Sequence, residues 1–324
     1  NVFGYTWQET PGSTPISHEA LMLGDVDVHM EEWTDNISSY QTDLQAGKFT
    51  ELGINFNDNY QGFYIPRYVA DEYPDLKTVK DLAKYPELFP DPEDASKGII
   101  YGITGWSITE VMEKKVSAYG LDQYYNYFVS GSDAVLNTAM TSAWDNQEPI
   151  VAYYWEPTWL RGKYDFVLLE DDPYNPDTFQ DGIGACPAVT VTVAVSNDFA
   201  ASNPEYCAFL SNFSMPSAII SEALAYMQDS GASYTQAAQW LLTESHPELV
   251  SQWLTDEQAD ALLESLGSSD GGGFSLSELL FQFPAFLQLD TEAIDSAVRS
   301  FAVWASPVLD AISGALGSLV SGIN

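Results

Sequence analysis

Signals for strands and helices alternate along roughly the first 250 residues, and this alternation most narrows the folds open to the chain. The segment "TPISHEALMLG" is typical of a helix, with Thr14 at the N-cap and Gly24 just past the end. The next segment, "DVDVHM", places an apolar residue at every second position, as a strand does. Strands that alternate with helices predict an α/β protein.

The alternation continues after a break. "GFYIPRYVA" is typical of a strand, in which Pro66 indicates an edge or a bend, and the polar run "YPELFPDPEDASKG" follows. The pattern then restarts with strand, helix, strand, helix, strand and strand in "GIIYGITGW", "SITEVMEKKVSAYG", "YNYFVSG", "SDAVLNTAMTSAWDNQ", "PIVAYYW" and "VTVTVAVS". We interpret this order as one lobe interrupted by another, with the chain returning to the first lobe near residues 188–196.

The charge of the chain restricts its partners. It carries 47 acidic against 11 basic residues, a formal net charge of −36, so no basic stripe is present to neutralise phosphates. Nucleic acid is therefore excluded as a natural partner, and anionic lipid is disfavoured. A length of 324 residues exceeds the usual need of one compact core, which makes two lobes or domains the default.

The sequence contains few residues or motifs that could bind a metal or a cofactor. A structural zinc site needs about four ligands, whereas the chain has two cysteines, Cys186 and Cys207, and three scattered histidines. The cysteines fit either a disulfide in an exported chain or two separate buried thiols, and their spacing does not decide. Phosphate-binding and dinucleotide-binding fingerprints and a G-x-S-x-G motif are absent from the sequence, so we expect no cofactor, no metal and no seryl chemistry.

Three tryptophans occupy a similar place in the pattern. Trp33, Trp106 and Trp155 each lie at or just past the carboxyl end of a predicted strand. In an open α/β sheet that edge is where ligands collect. The indoles therefore either converge on one crevice as a cage or pack into the core, and their position alone leaves both interpretations open.

A cage of indoles suits a quaternary ammonium group, which carries a positive charge but no N–H. Ring faces are the natural partners of such a group, at about 0.5–2 kcal/mol for each well-placed ring. Three rings would supply on the order of 2–6 kcal/mol, which reaches micromolar affinity with modest further help. We expect Tyr64 and Tyr154 to complete the walls of this cage.

The helix start in "GWSITE" offers a place for the opposite charge. Ser107 and Glu110 form an S-x-x-E capping box, which predicts that a helix begins there. The free backbone N–H groups and the positive end of the helix dipole can receive a carboxylate. A cage together with an anion site fits a betaine, a zwitterion with a methylated ammonium and a carboxylate.

A family resemblance is carried by segments that stand in order along the chain: "GDVDVHMEEWTDN", "YQGFYIPRYVA", "GITGW", "EPIVAYYWEPTWLRGKYDFVLLED" and "VTVAVSNDFA". From about residue 1 to residue 254 they resemble the substrate-binding proteins of glycine betaine/proline betaine ABC importers. The W-E-P-x-W segment followed by K-Y-D is the specific part. The resemblance implies a two-lobed α/β clamp of the type II periplasmic-binding-protein class, which closes on its ligand and is not an enzyme.

The resemblance also implies a site and partners. Trp33, Trp106 and Trp155 would form the aromatic box, and the backbone N–H groups of Ser107 and Ile108 would hold the carboxylate. The ligands implied are glycine betaine, proline betaine, carnitine or choline, and the partner is an ABC permease subunit in the membrane. The expected location is extracytoplasmic, in a periplasm or at the cell surface, with the chain tethered to the membrane or fused to the permease.

One departure from the family pattern concerns the carboxylate. Some members bind it with a histidine that follows the first box tryptophan by a few residues, where this chain has Thr34, Asp35 and Asn36. We take Asn36 as the candidate donor.

The resemblance divides the chain as well. Lobe 1 is expected at residues 1–72 and 192–256, without its first strand and helix, and lobe 2 at residues 73–191. A Gly/Ser linker at 257–274 precedes an apolar helical tail at 275–324, which resembles the amphipathic lead-in of betaine importer permeases. The alternative for this tail is an ordinary helix that packs on the body.

A carbohydrate-active enzyme is the competing hypothesis. Glu156 directly follows Trp155, and tryptophans stack on sugars. Glycosidase chemistry needs a second carboxylate roughly 5–10 Å away, for which Asp35 and Glu32 are the nominal candidates. The proline after Glu156 favours instead a turn that fixes the preceding tryptophan.

Overall fold

The computed structural model describes residues 2–6, 8–10, 12, 14–104 and 107–267. The strands are β1 (Val28–Trp33), β2 (Thr50–Phe56), β3 (Gln61–Pro66), β4 (Gly98–Ile103), β5 (Tyr125–Ser130), β6 (Ala152–Trp155), β7 (Phe166–Leu168) and β8 (Val191–Val195). The helices are α1 (Thr14–Leu23), α2 (Tyr40–Gln45), α3 (Arg67–Glu72), α4 (Ser107–Ala118), α5 (Asp133–Asn146), α6 (Trp159–Lys163), α7 (Pro176–Phe179), α8 (Asn197–Ser202), α9 (Pro204–Asn212), α10 (Ser217–Ser230), α11 (Tyr234–Trp240), α12 (Glu248–Trp253) and α13 (Asp256–Gly267). The predicted α/β class is confirmed, whereas the expectations for Trp106 and for the tail at 275–324 fall outside the described residues.

The first sheet has three strands in the order β1-β8-β2, and β8 is antiparallel to both neighbours. All five residues of β8 are buried because both faces of this central strand are covered. Val191, Val193 and Val195 join the large cluster that includes residues of α9 and α10. Ala194 points to the opposite face, where it joins a small cluster with residues of α1 and α2. This alternation is the period-two pattern of a strand buried on both sides.

The second sheet has five strands in the order β5-β4-β6-β3-β7. The pairs of β4 with β5 and with β6 are parallel, and the pairs of β3 with β6 and with β7 are antiparallel. Parallel neighbours need a crossover, which α4 supplies between β4 and β5 and α5 supplies between β5 and β6. The carboxyl ends of β4, β5 and β6 consequently meet at one edge of this sheet.

Two short crossovers, residues 57–60 and 187–190, join the sheets. The buried side chain of Asn59 holds them together, because its Nδ2 donates to the Val189 carbonyl at 2.7 Å and its Oδ1 accepts the Val189 N–H at 2.8 Å. The expected lobe boundary at residue 72 needs correction, since it follows β3 and would separate that strand from β6 and β7, with which it pairs. The hydrogen bonds place the passage between the sheets at 57–60 instead.

A close helix contact joins α6, which lies between β6 and β7 of the second sheet, to α10, which follows β8 of the first. The segment that opens α6 packs on α10, where the Thr158 N–H donates to Ser221 Oγ at 3.1 Å and Lys163 forms an ion pair with Asp229. Gly162 allows this approach, because a Cβ at that position would lie 2.0 Å from the Ser221 carbonyl oxygen. Any other residue at position 162 would push the two helices apart.

The two cysteines carry free thiols. Cys186 packs against the core of the second sheet, and Cys207 is buried in the core of the first. Of the two arrangements that the sequence left open, the structure shows two separate thiols. Among the described residues, no helix has the length and apolar character required to cross a bilayer.

We expect Asn59→Ala to lower the free energy of unfolding by about 1–3 kcal/mol, because it leaves the partly buried N–H and carbonyl groups of Val189 without these partners. Urea unfolding measures the change. The control is Asn146→Ala, at the exposed end of α5, which we expect to have a much smaller effect. Equal effects of the two substitutions would contradict a special role for Asn59.

Candidate functional site

Trp33 and Trp155 are the last residues of β1 and β6, as the sequence predicted. In the strand register Trp33 lies opposite Val191, and Trp155 lies opposite Gln61. Val191 directly follows the crossover at 187–190, and Gln61 directly follows the crossover at 57–60. The two tryptophans therefore belong to different sheets, and each lies where a crossover enters its sheet.

The length of the crossover limits how far apart these two positions are. The Trp33 ring packs edge-to-face on Phe56, the last residue of β2, with the ring centroids 5.5 Å apart. The chain covers at most about 18 Å between the Cα atoms of Phe56 and Gln61, even when fully extended. Trp33 and Trp155 thus flank a single short connection.

Two tyrosines support Trp155 within the second sheet. The Tyr154 ring lies 4.5 Å from the Trp155 ring, and its hydroxyl donates to Asn137 Oδ1 at 2.6 Å. The Tyr153 ring stacks on Trp155 with centroids 6.1 Å apart. Tyr154 is only 1% exposed, so it backs the indole and presents no ring to solvent in this conformation.

Tyr64 has a similar buried position, with 1% of its surface exposed. The Arg161 guanidinium covers its ring, 4.8 Å from the centroid. The two tyrosines predicted as cage walls therefore lie behind the surface in this conformation, and the half-buried Trp33 and Trp155 are the rings nearer to solvent.

Arg161 also fixes the turn that follows Trp155. Its Nε donates to Glu156 Oε1 at 2.8 Å, and its Nη1 donates to the Phe166 carbonyl at 2.7 Å. The Glu156–Pro157 peptide bond is cis. Sequence reasoning missed this arginine, although its place five residues after Glu156 in the first helical turn was a signal. The Glu156 carboxylate is engaged in this ion pair, within the turn that the following proline suggested.

The start of α4 lies near the same sheet edge. The helix begins at Ser107, as the capping box predicted, directly after the tryptophan that lies outside the described residues. Thr109 Oγ1 donates to the Ile103 carbonyl at 2.8 Å, which fixes the helix start against the end of β4. In the parallel register Tyr101 lies opposite Ala152, so Thr104, the residue directly after β4, comes level with Trp155 at the end of β6. Ile108 packs partly on the core of the second sheet.

Asn36 is exposed at the end of a 3₁₀ turn, Thr34–Asn36, that follows Trp33. The turn is tied to the crossover at 187–190, because the N–H and Oγ1 of Thr34 both donate to the Thr190 carbonyl, at 3.2 and 2.9 Å. The predicted carboxylate donor thus lies in solvent close to the indole that it follows in sequence.

A buried polar cluster lies under β1. The fully buried Glu32 carboxylate is 2.8 Å from His29 Nδ1 and 3.3 Å from His18 Nδ1, and His18 Nε2 lies 3.4 Å from Asp43. Burial alone would lower the pKa of His18, but the hydrogen bonds and charges of Glu32 and Asp43 outweigh it and raise that pKa. For Glu32, burial acts to raise the pKa, and the two histidines more than reverse this and lower it.

This cluster bears on the competing enzyme hypothesis. Glu32 was a nominal partner for Glu156, yet it is buried and held by two histidines. In the described part of the chain, no group of three or more histidine, cysteine, aspartate or glutamate residues is arranged to hold a metal ion.

The cluster predicts a pH dependence of stability. The raised pKa of His18 gives a contribution that is present below the unfolded value of about 6.5 and lost as the pH rises through the folded value. The lowered pKa of Glu32 gives a contribution that is present above about 4.5 and lost as the pH falls. We expect His18→Gln to destabilise the protein most near pH 5–6 and to flatten the pH dependence of the thermal midpoint above about pH 6.

The comparison variant is His246→Gln. That imidazole pairs with Glu222 at 3.0 Å and Glu248 at 2.8 Å but is 23% exposed, so solvent screens its ion pairs. We expect a smaller change than for His18→Gln. Thermal unfolding between pH 4 and 8 measures both, and an unaltered pH profile for His18→Gln would contradict the prediction.

Solved structures with this fold include several binding proteins of ABC transporters. The glycine betaine/L-proline-binding protein ProX from Borrelia burgdorferi is 21% identical, with a TM-score of 0.53, and the match covers 80% of this chain and 89% of that one. Lactococcal OpuAC in a closed, glycine betaine-bound conformation is 20% identical, with a TM-score of 0.52, covering 78% and 89%. A choline-binding protein in complex with choline is 20% identical, with a TM-score of 0.53, covering 82% and 90%.

At these identities the likeness shows the fold, which confirms the expected two-lobed, type II periplasmic-binding-protein class. No curated protein matches the chain. Residues 2–244, well over half of the chain, match the family described as the substrate-binding domain of ABC-type glycine betaine transport systems. The chain therefore belongs to this family of transport substrate-binding domains.

Proposed function

We propose that this chain captures glycine betaine or a related quaternary ammonium osmolyte in a cage of Trp33, Trp106 and Trp155, and delivers it to an ABC permease. The observation that carries the proposal is the placement of Trp33 and Trp155 at the two places where the crossovers enter the sheets. Trp106 is included in the cage because the family resemblance implies it and because it directly precedes α4 in the sequence.

The chemistry of the headgroup supports a cage of rings. A methylated ammonium has no N–H to donate, so carbonyl and carboxylate oxygens cannot hold it by hydrogen bonds, whereas the negative face of an indole attracts it. Trp155 is suited to this task because Tyr153 and Tyr154 hold its ring and the Glu156–Arg161 ion pair fixes the following turn. A ring held in place loses little conformational freedom on binding.

The carboxylate of a betaine would lie at the start of α4. The backbone N–H groups of Ser107 and Ile108 belong to the first turn of a 12-residue helix, where amides have no partner within the helix and the dipole is positive. Asn36, exposed after Trp33, is a further donor. An anion site of this kind favours a zwitterion such as glycine betaine, proline betaine or carnitine over choline, which lacks the carboxylate.

The two crossovers suit a clamp. Closure of two lobes about short connections would bring Trp33 from one sheet and Trp155 from the other onto the same headgroup. The closed form would then present the ligand to a permease subunit. This role places the domain outside the cytoplasm, tethered to the membrane or fused to its permease, and requires binding and release without bond cleavage.

Calorimetric titration with glycine betaine tests the cage. We expect saturable heat without turnover, and at least tenfold weaker binding for Trp33→Ala and for Trp155→Ala, because each removes one ring of the cage. Trp240→Ala is the matched control, since that indole stacks on Tyr226 between α10 and α11 and should leave the affinity within about twofold. Normal affinity in both cage variants, or release of sugar from a glycoside, would overturn the proposal.

A second experiment tests the carboxylate site. Ile108→Pro removes one backbone N–H in the first helical turn, where proline is tolerated, and Ile108→Ala removes the same side chain but keeps the N–H. We expect the proline variant to bind glycine betaine about tenfold more weakly than the alanine variant. Choline binding should differ little between them. Equal betaine affinities would exclude this amide as a carboxylate ligand.

A further inference from the structure

The turn that follows Trp155, residues 156–158, is bound to the rest of the chain through its backbone. Its middle residue is proline, so two N–H groups remain that can donate hydrogen bonds. The Glu156 N–H donates to the carbonyl of Tyr60, the last residue of the crossover at 57–60, at 2.8 Å. This bond fixes one end of the turn to the connection between the sheets.

The other N–H of the turn reaches a helix that packs with the first sheet. The Thr158 N–H donates to Ser221 Oγ at 3.1 Å, and Ser221 is only 3% exposed. Ser221 lies on α10, whose apolar residues belong to the same hydrophobic cluster as the valines of β8. A buried hydrogen bond thus links the turn beside Trp155 to the part of the molecule that contains Trp33.

The same helix is also bonded to the crossover. The Ser217 N–H, at the first residue of α10, donates to Asp58 Oδ1 at 3.0 Å. Asp58 lies two residues before Tyr60 in the crossover at 57–60. Three hydrogen bonds therefore form a closed circuit, from the crossover to α10, from α10 to the turn, and from the turn back to the crossover.

Close packing beside Ser221 leaves this circuit little freedom. Gly162 of α6 lies against the Ser221 carbonyl, since a Cβ at position 162 would come within 2.0 Å of that oxygen. Trp159, the first residue of α6, packs on the hydrophobic cores of both sheets. The helix that continues the turn is therefore held against α10 as well.

We propose that Ser221 and Asp58 are positioning residues for the quaternary ammonium site, which couple the crossover at 57–60 to the position of the Trp155 ring. The inference rests on the proposed function, because it needs Trp155 to contact the headgroup. A change in the crossover moves α10 and the turn together, so the position of the ring follows the arrangement of the two sheets. Neither side chain is expected to touch the ligand.

The position of the ring matters because of how an indole attracts a cation. The cation has to lie over the face of the ring, within about 6 Å of its centre. Tyr153 and Tyr154 hold the Trp155 ring within the second sheet, whereas the circuit relates it to the first. Loss of the Ser221 hydroxyl takes this partner from the buried Thr158 N–H, which favours a rearranged turn and a displaced ring.

Calorimetric titration with glycine betaine tests the role of Ser221. We expect Ser221→Ala to bind about threefold to tenfold more weakly than the unmodified protein. Ser217→Ala is the matched control. It removes another buried hydroxyl of α10, which has no hydrogen-bond partner in the described part of the chain, and it keeps the N–H that donates to Asp58. We expect the control to bind within about twofold of the unmodified protein.

A double-mutant cycle separates positioning of the ring from a general effect on the fold. If Ser221 acts through Trp155, then Ser221→Ala has no further effect on the affinity once Trp155 is replaced by alanine. A loss of the same size with and without the Trp155 ring would overturn the inference. Circular dichroism verifies that each variant is folded under the conditions of the titration.

Asp58 provides a second test that leaves α10 unchanged. Asp58→Ala removes the acceptor of the Ser217 N–H, whereas Asp58→Asn keeps an oxygen at the same position. We expect weaker betaine binding for the alanine variant, again only while Trp155 is present, and near-normal binding for the asparagine variant. This pair decides if Ser221→Ala does not fold. Unchanged betaine affinity in Asp58→Ala overturns the coupling to the crossover.

The outcomes distinguish the two proposals. Absence of betaine binding by the unmodified protein, or normal binding by Trp155→Ala, overturns the role of Trp155 and this inference with it. Weak binding by Trp155→Ala together with unchanged affinity in Ser221→Ala overturns the inference alone.

Discussion

The paired hydrogen bonds between Asn59 and Val189 hold together the only two passages between the sheets in the described part of the chain. These hydrogen bonds matter because each passage leads into a strand that begins opposite a tryptophan. Residues 57–60 lead into β3, which begins opposite Trp155, and residues 187–190 lead into β8, which begins opposite Trp33. A buried amide that bonds to both groups of one residue fixes the crossovers in register with each other. This side chain thus helps to position the candidate binding rings of the two sheets relative to the crossovers.

Recognition of a methylated cation by rings fits a chain with a net charge of −36. The excess of acids covers the surface, while the candidate site presents indole faces at the ends of strands. A zwitterion gains little steering from such a surface, so its capture depends on short-range contacts.

Local patterns were enough to predict the strands that end at Trp33 and Trp155 and the helix that begins at Ser107, because alternation and capping act over a few residues. The sheet to which β3 belongs could not be predicted, since its partners β6 and β7 lie far along the chain. Pro66 indicated an edge or a bend, whereas β3 is interior and Pro66 ends it where α3 begins. Among 47 acids, nothing in the sequence marks Glu32 as buried.

The central position of β8 has a consequence for how the chain folds during synthesis. β1 and β2 are made early and are neighbours in the sequence, yet both pair with β8, which leaves the ribosome only after the entire second sheet. The second sheet can assemble while the chain is still growing, but the first must hold two unpaired strands until its middle strand arrives. Pairing between strands so far apart in the sequence slows folding of the first sheet. β1 and β2 therefore stay unpaired for longer, and chaperones or a secretion channel can engage the chain during that time.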